Sequence, residues 1–136
     1  MNLRVVLDTN VFISGIFWEG NYCSQIINAW KEKKIILVSS LEIIQELTDT
    51  LRDFKIDMDG ELIREWRNTI IENSVMVAPI KILGVVKDDP KDNKFFEAAI
   101  AGNAQYLVSQ DKKHVLKIPE YCGVKTIHPE EFVKLI

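Results

Sequence analysis

The sequence predicts an α/β fold in which a parallel sheet is covered by helices on both faces, and three observations predict it. Short apolar runs at Leu3–Leu7, Ile35–Val38, Tyr106–Val108 and Val124–Ile127 are too brief for buried helices and carry β-branched residues. Segments of helical period stand between them, the order that builds strand–helix–strand units. The runs look buried on both faces, as strands of a parallel sheet are. Right-handed crossovers follow, and ligands of such sheets settle outside the carboxyl ends of the strands.

Each element has a local reason. Leu3–Leu7 is apolar except for Arg4. Residues 11–17 and 22–32 read as two helices parted by Gly20-Asn21, and Lys31, Lys33 and Lys34 close the second where the helix dipole favours cations. After Ile35–Val38, Ser39-Ser40-Leu41-Glu42 matches a capping box and opens a helix striped by Leu41, Ile44, Leu47 and Leu51. Asp59-Gly60 precedes a helix whose buried face is read as Leu62, Ile63, Trp66 and Ile70, and Val75–Val77 is a further strand. Asp89-Pro90 reads as N-cap and first helical position of a helix carrying Phe95, Phe96, Ala99 and Ile100, with Gly102 as its stop. Tyr106–Val108 is a strand, Lys112–Leu116 a short helical turn, Val124–Ile127 a strand and Pro129–Leu135 the last helix.

At 136 residues and 47% apolar composition, one domain over residues 1–136 with one continuous core is expected. No apolar run approaches the roughly 20 residues that cross a bilayer. The start Met1-Asn2-Leu3-Arg4 lacks a long apolar segment with a small-residue cleavage site, so a cytoplasmic chain without signal peptide or membrane contact is expected. Cys23 and Cys122 stand in no metal-binding spacing and read as half-buried thiols. The net charge of −3 is not that of a basic nucleic-acid binder, but it suits a cluster of acids around a cation.

The acids fall at informative places. Asp8 follows the first strand, and Asp111 follows Tyr106–Val108 after Ser109-Gln110. Asp92 lies in the first turn after Asp89-Pro90, and Glu46 lies two turns into its helix, beside the apolar stripe. Taken singly, Asp8 and Asp111 are explained as caps, Asp92 as a charge favoured by a helix dipole and Glu46 as a solvated acid. Taken together, they would converge on one edge of the sheet. Two carboxylates about 4 Å apart repel by about 4 kcal/mol at an effective dielectric near 20, so four would hold protons unless a cation lay between them. Oxygen ligands select hard ions, so Mg²⁺ or Mn²⁺ is expected, and such a site suits metal-assisted phosphodiester hydrolysis.

In this order the segments Val5-Val6-Leu7-Asp8-Thr9-Asn10, Glu46, Asp88-Asp89-Pro90-Lys91-Asp92-Asn93-Lys94-Phe95, Ala98-Ala99 to Gly102, and Tyr106-Leu107-Val108-Ser109-Gln110-Asp111 resemble the PIN-domain family. The chain is most similar to its small prokaryotic branch of VapC-type toxins. The resemblance implies a three-layer α/β/α sandwich with a central parallel β-sheet and a Mg²⁺- or Mn²⁺-dependent endoribonuclease acting on RNA. It implies Asp8, Glu46, Asp92 and Asp111 as metal-holding catalytic acids. Thr9, Asn10 and Ser109 would support the acids or touch the phosphate. It also implies a homodimer and a cognate antitoxin. The chain departs from the pattern after Asp111, where Lys112-Lys113-His114 stand in place of a further acid, so a second metal would be weakly held. Asp89 competes with Asp92, which is preferred because Asp89-Pro90 is explained as a cap.

Lys87, Lys91, Lys94, Lys112 and Lys113 are candidate phosphate contacts or a solvated surface; Lys91 and Lys94 flank Asp92 most closely. His114 and His128 offer too few ligands for zinc. Phe12, Phe17, Trp18, Trp30 and Trp66 read as core or dimer contacts, with base stacking open for Trp18 beside Gly20. Two other functions fit the same residues. A phosphatase-like hydrolase with Asp8 as nucleophile would want an acid at position 10, which is Asn10. A catalytically weak or inactive PIN-fold module would keep partner contacts without turnover.

Overall fold

A computed structural model describes residues 2–54, 58–80, 85–87 and 89–136, so Asp88 of the sequence pattern lies outside the described residues. The sheet contains β1 (Leu3–Leu7), β2 (Ile35–Ser39), β3 (Val75–Met76), β4 (Tyr106–Val108), β5 (Glu120–Tyr121) and β6 (Val124–Ile127), in the order β3-β2-β1-β4-β6-β5. Every pairing is parallel except that of β5 with β6. The helices are α1 (Thr9–Phe17), α2 (Tyr22–Lys31), α3 (Leu41–Asp53), α4 (Gly60–Glu72), α5 (Asn93–Ala101) and α6 (Pro129–Phe132), with 3₁₀ turns at Pro90–Asp92 and Val133–Leu135.

Period-two alternation within each strand divides the interior into two cores. Val5, Leu7, Ile35, Leu37 and Val108 face a core completed by α1, α2, α4, α6 and most of α3. Val6, Val38 and Leu107 face the other, completed by Phe95, Phe96, Ala98 and Ala99 of α5. The result is the expected α/β/α sandwich with a mostly parallel sheet. The chain runs from β1 outward to β2 and β3, then returns to lay β4 on the other flank of β1. The carboxyl ends of β1 and β4 thus meet where the strand order reverses, the crevice in which such sheets bind ligands.

Arg4, the polar interruption in β1, donates from its guanidinium to the Gly102 carbonyl at 2.6 and 2.9 Å, closing the end of α5. Gly102 ends α5 as expected, but not as a left-handed cap. Its φ is −96°, and the positive φ belongs to Asn103 at 53°. A Cβ at 102 would lie 2.3 Å from Val38 Cγ1, so the residue is small because α5 abuts β2 there. Gly102→Ala is expected to destabilise the fold by about 1–3 kcal/mol through overpacking against buried Val38. The urea midpoint checks this, and an unchanged midpoint would contradict it.

Other expectations are corrected. The cap of α3 is Ser40, which accepts from the Ile43 amide at 3.4 Å, so Ile43 takes the position where a capping box needs an acid or amide, no box forms, and Ser39 ends β2. Leu41 is exposed, and Ile43 takes its place in the interior. On α4, Ile63 and Ile70 are buried, Trp66 is half-buried and Leu62 is exposed. Cys23 is buried and Cys122 exposed, so neither is half-buried. Strand β5 was not expected; Cys122 and Gly123, both at positive φ, turn it back antiparallel onto β6. Among the described residues, no helix is long and apolar enough to cross a membrane.

Candidate functional site

Asp8 leaves the end of β1 under close control. The pairing of Leu7 with Val108 sets Asp8 beside Ser109, and the Asp8 amide donates to the Val108 carbonyl at 3.0 Å. The Ser109 hydroxyl donates to Asp8 Oδ2 at 2.7 Å and itself accepts from the Asp111 amide at 3.0 Å. Fully buried Ser109 therefore ties the acid after β1 to the acid after β4. Asn10 adds a second tie, its Oδ1 accepting from the Gln110 amide at 3.1 Å. Asp111 Oδ1 accepts from the amides of Lys113 and His114 at 3.0 and 3.1 Å.

Asp8, Asp92 and Asp111 line one cleft of about 490 Å³, together with Thr9, Asn10, Asp89 and Gln110. Glu46 lines an adjoining groove along α3 and is joined to the cleft through Thr9, whose hydroxyl donates to Glu46 Oε2. The other oxygen of Glu46 is paired with the Lys94 ammonium. Lys94 therefore neutralises Glu46 and does not stand as a free cation for phosphate. Lys91 is exposed on the 3₁₀ turn between Asp89 and Asp92 and does not itself line the cleft.

The electrostatics record the convergence. Asp8 is 5% exposed, and burial pushes its carboxyl up to about 6. The Ser109 hydrogen bond opposes that rise, while the charges of Glu46 and Asp111 add to it. Burial pushes Asp92 up to about 7, with further increments from Asp8, Asp89, Asp111 and Glu46. A buried acid that holds its proton toward neutrality, with other acids adding to the rise, sits where a cation would relieve all of them.

Two further residues join this cluster: Asp89, the competitor of Asp92 in the sequence, and His114, weighed there only as a zinc ligand. Asp89 does cap the 3₁₀ turn, its Oδ1 accepting from the Lys91 amide at 3.2 Å, yet it also lines the cleft. His114 has its Nδ1 3.4 Å from Asp111 Oδ2. Ligand atoms of Asp89, Asp92 and His114 lie within 4.8 Å of one another, a spacing that one cation could bridge. The available signal was the three-residue spacing of Asp89 from Asp92 and of Asp111 from His114, which puts each pair on one face of a turn.

The donor set fits a hard divalent ion. It is dominated by carboxylate oxygens, two of them on acids raised by burial and by the charge of neighbouring acids, and it opens to solvent on one side, where waters would complete the coordination shell.

A family model described as PIN domain matches residues 4–113, a span that takes in all of these acids. The chain is 27% identical over 146 aligned positions to MJ1680, an uncharacterized protein of Methanocaldococcus jannaschii, covering 98% of this chain and 92% of that protein. Two solved structures share the fold. A chain of VapBC2 from Rickettsia felis, bound to a DNA fragment from its promoter, superposes with a TM-score of 0.60 at 14% identity, covering 93% of this chain and 98% of that one. A chain of FitAB bound to the IR36 DNA fragment gives 0.62 at 11% identity, covering 92% and 94%.

Proposed function

Because the chain belongs to the PIN domain family, we propose that it is a metal-dependent endoribonuclease acting as the toxin of a toxin–antitoxin pair. One observation carries the catalytic part: carboxyls from separate segments meet at the point where the strand order reverses, two of them with protons held to about 6 and about 7. Asp8, Asp92 and Asp111, with Glu46 beside them, would hold Mg²⁺ or Mn²⁺. When bound, the ion supplies an activated water and charge stabilisation at the phosphoryl oxygens. Ser109 and Thr9 orient Asp8 and Glu46 through their hydroxyls. Asn10 fixes the loop after β4 against the start of α1.

The toxin role has separate support. The sequence resembles VapC-type toxins, and its fold is shared by chains of VapBC2 and FitAB, each solved on DNA, in VapBC2 a fragment of its promoter. A toxin working this way would pair as a homodimer and be held silent by an antitoxin. Chemistry with Asp8 as a phosphoryl nucleophile is disfavoured, because Asn10, at the position that would have to supply an acid, is committed to Gln110.

The test is cleavage of end-labelled RNA by purified protein. Strand breaks are expected with Mn²⁺ or Mg²⁺, none in EDTA, and full recovery when Mn²⁺ is returned. Equal cleavage in EDTA would overturn the metal-dependent reading, and no cleavage with either ion would overturn the nuclease.

A further inference from the structure

We propose that Trp18 is a stacking platform for an unpaired base of the substrate beside the scissile phosphate. The inference rests on the nuclease reading above. Trp18 ends α1 and remains 48% exposed, an unusual position for the largest apolar side chain in a folded protein. It is also held still. Its amide donates to the Ser14 carbonyl at 3.3 Å, and its ring meets those of Phe17 and Phe54 at centroid distances of 6.0 and 6.1 Å. Those neighbours stand at 62° and 82° to it, so neither lies flat against its face. Phe17 and Phe54 stack on each other at 4.8 Å, so the indole meets a pair of packed rings edge-on.

Position gives the exposed ring its meaning. Trp18 lines the same cleft of about 490 Å³ as Asp8, Asp92 and Asp111, a volume within the range of small-ligand sites. The rest of that lining is largely polar, with the amide side chains of Asn10 and Gln110 among it. A peptide anchored by an apolar side chain would want an apolar pocket around it. A nucleobase wants one flat apolar face and polar groups at its edges, as this cleft offers. Stacking also gives affinity without charge, which suits a polyanion approaching a cluster of acids. In a duplex both faces of each base are already covered, so only an unpaired base can accept the ring.

Three measurements test this. The cleaved bond is first mapped on a single-stranded oligoribonucleotide with Mn²⁺. Trp18→Ala is then expected to raise KM about 5- to 150-fold with kcat nearly unchanged, the range corresponding to the usual value of one stacked base. Trp18→Phe should recover most of the loss. An oligonucleotide with an abasic site next to the mapped bond should cost the wild type as much and cost Trp18→Ala nothing further; this arm needs no variant to establish the loss. Tryptophan fluorescence should be quenched on mixing with the single strand, but not with its duplex, and the quench should vanish in Trp18→Phe. Cleavage with normal KM by folded Trp18→Ala would overturn the platform and leave the nuclease standing. A wild type that cleaves nothing overturns the nuclease, and the quench then reads the platform alone. Quenching by a cationic peptide and not by the oligonucleotide would reassign this face to a protein partner and overturn the proposal.

Discussion

Asp8→Asn is expected to lower metal-dependent RNA cleavage by at least about a thousand-fold and, in the same molecule, to raise the stability of the metal-free protein at neutral pH. The first effect follows from the charge. Asparagine keeps the shape of Asp8 and can still accept from the Ser109 hydroxyl, but it removes the anionic oxygen at the centre of the cluster. Metal assistance is worth several kcal/mol in the transition state, and each 1.36 kcal/mol is tenfold in rate, so losing most of it passes about a thousand-fold. The second effect follows from burial. Asp8 is 5% exposed and titrates near 6 instead of 3.8, so folding above that pH buries a charge that water would hold better. At 1.36 kcal/mol per unit the neutral amide is relieved of about 2–3 kcal/mol. Denaturant melts in EDTA at pH 7.5 check the gain. An inactive variant that is also less stable would mean that Asp8 serves the fold instead of the cation, since functional sites commonly trade stability for activity.

The parts of this site that were legible in the sequence are those held by one strand and its next residue. A five-residue run, apolar but for Arg4, followed by Asp8, and a three-residue run followed closely by Asp111, place both acids at the carboxyl edge once the sheet is parallel. Which strands become neighbours is set by the order reversal between β1 and β4, which the strand–helix alternation allows without specifying. Contacts between distant segments were not legible. Lys94 and Glu46 are 48 residues apart, and nothing local says that the lysine neutralises the glutamate instead of meeting phosphate. Asp89 was read as a cap because capping is a local pattern; its second role beside Asp92 and His114 depends on how the Pro90 turn packs over the loop after β4. Gly102 does stop α5 as the sequence indicates, but the need for a glycine there is not local. A glycine at a helix end is usually a left-handed cap, whereas here the demand comes from Val38 across the sheet face. Strand β5 has two residues and turns through Cys122, a residue with no particular preference for positive φ, so neither its length nor its turn gave a signal.

Manganese is expected to stabilise this protein strongly at pH 8 and hardly at pH 5, with the metal-free protein following the opposite trend from the same two carboxyls. Asp8 and Asp92 titrate near 6 and near 7 in the folded chain, against 3.8 when unperturbed. Below about pH 4 folded and unfolded chains both hold these protons, and no penalty arises. Between pH 4 and 7 the unfolded chain releases protons that the folded chain keeps, so this contribution to stability falls as pH rises and is wholly lost above the folded values. Asp92 is only half-buried, so solvent screening makes its share smaller than the shift alone suggests. Other carboxylates oppose the trend, so the readout is a difference: Asp92→Asn should gain on the wild type at pH 8 and match it at pH 4. The cation competes with the same protons for the same oxygens, which makes its affinity pH-dependent. At a hundred times its dissociation constant it adds about 2.7 kcal/mol, enough to raise Tm by several degrees at pH 8. At pH 5 protons occupy both acids and the increment should nearly vanish. A manganese increment equal at the two pH values would place the ion away from Asp8 and Asp92, and the convergence of these carboxyls would then need another cause.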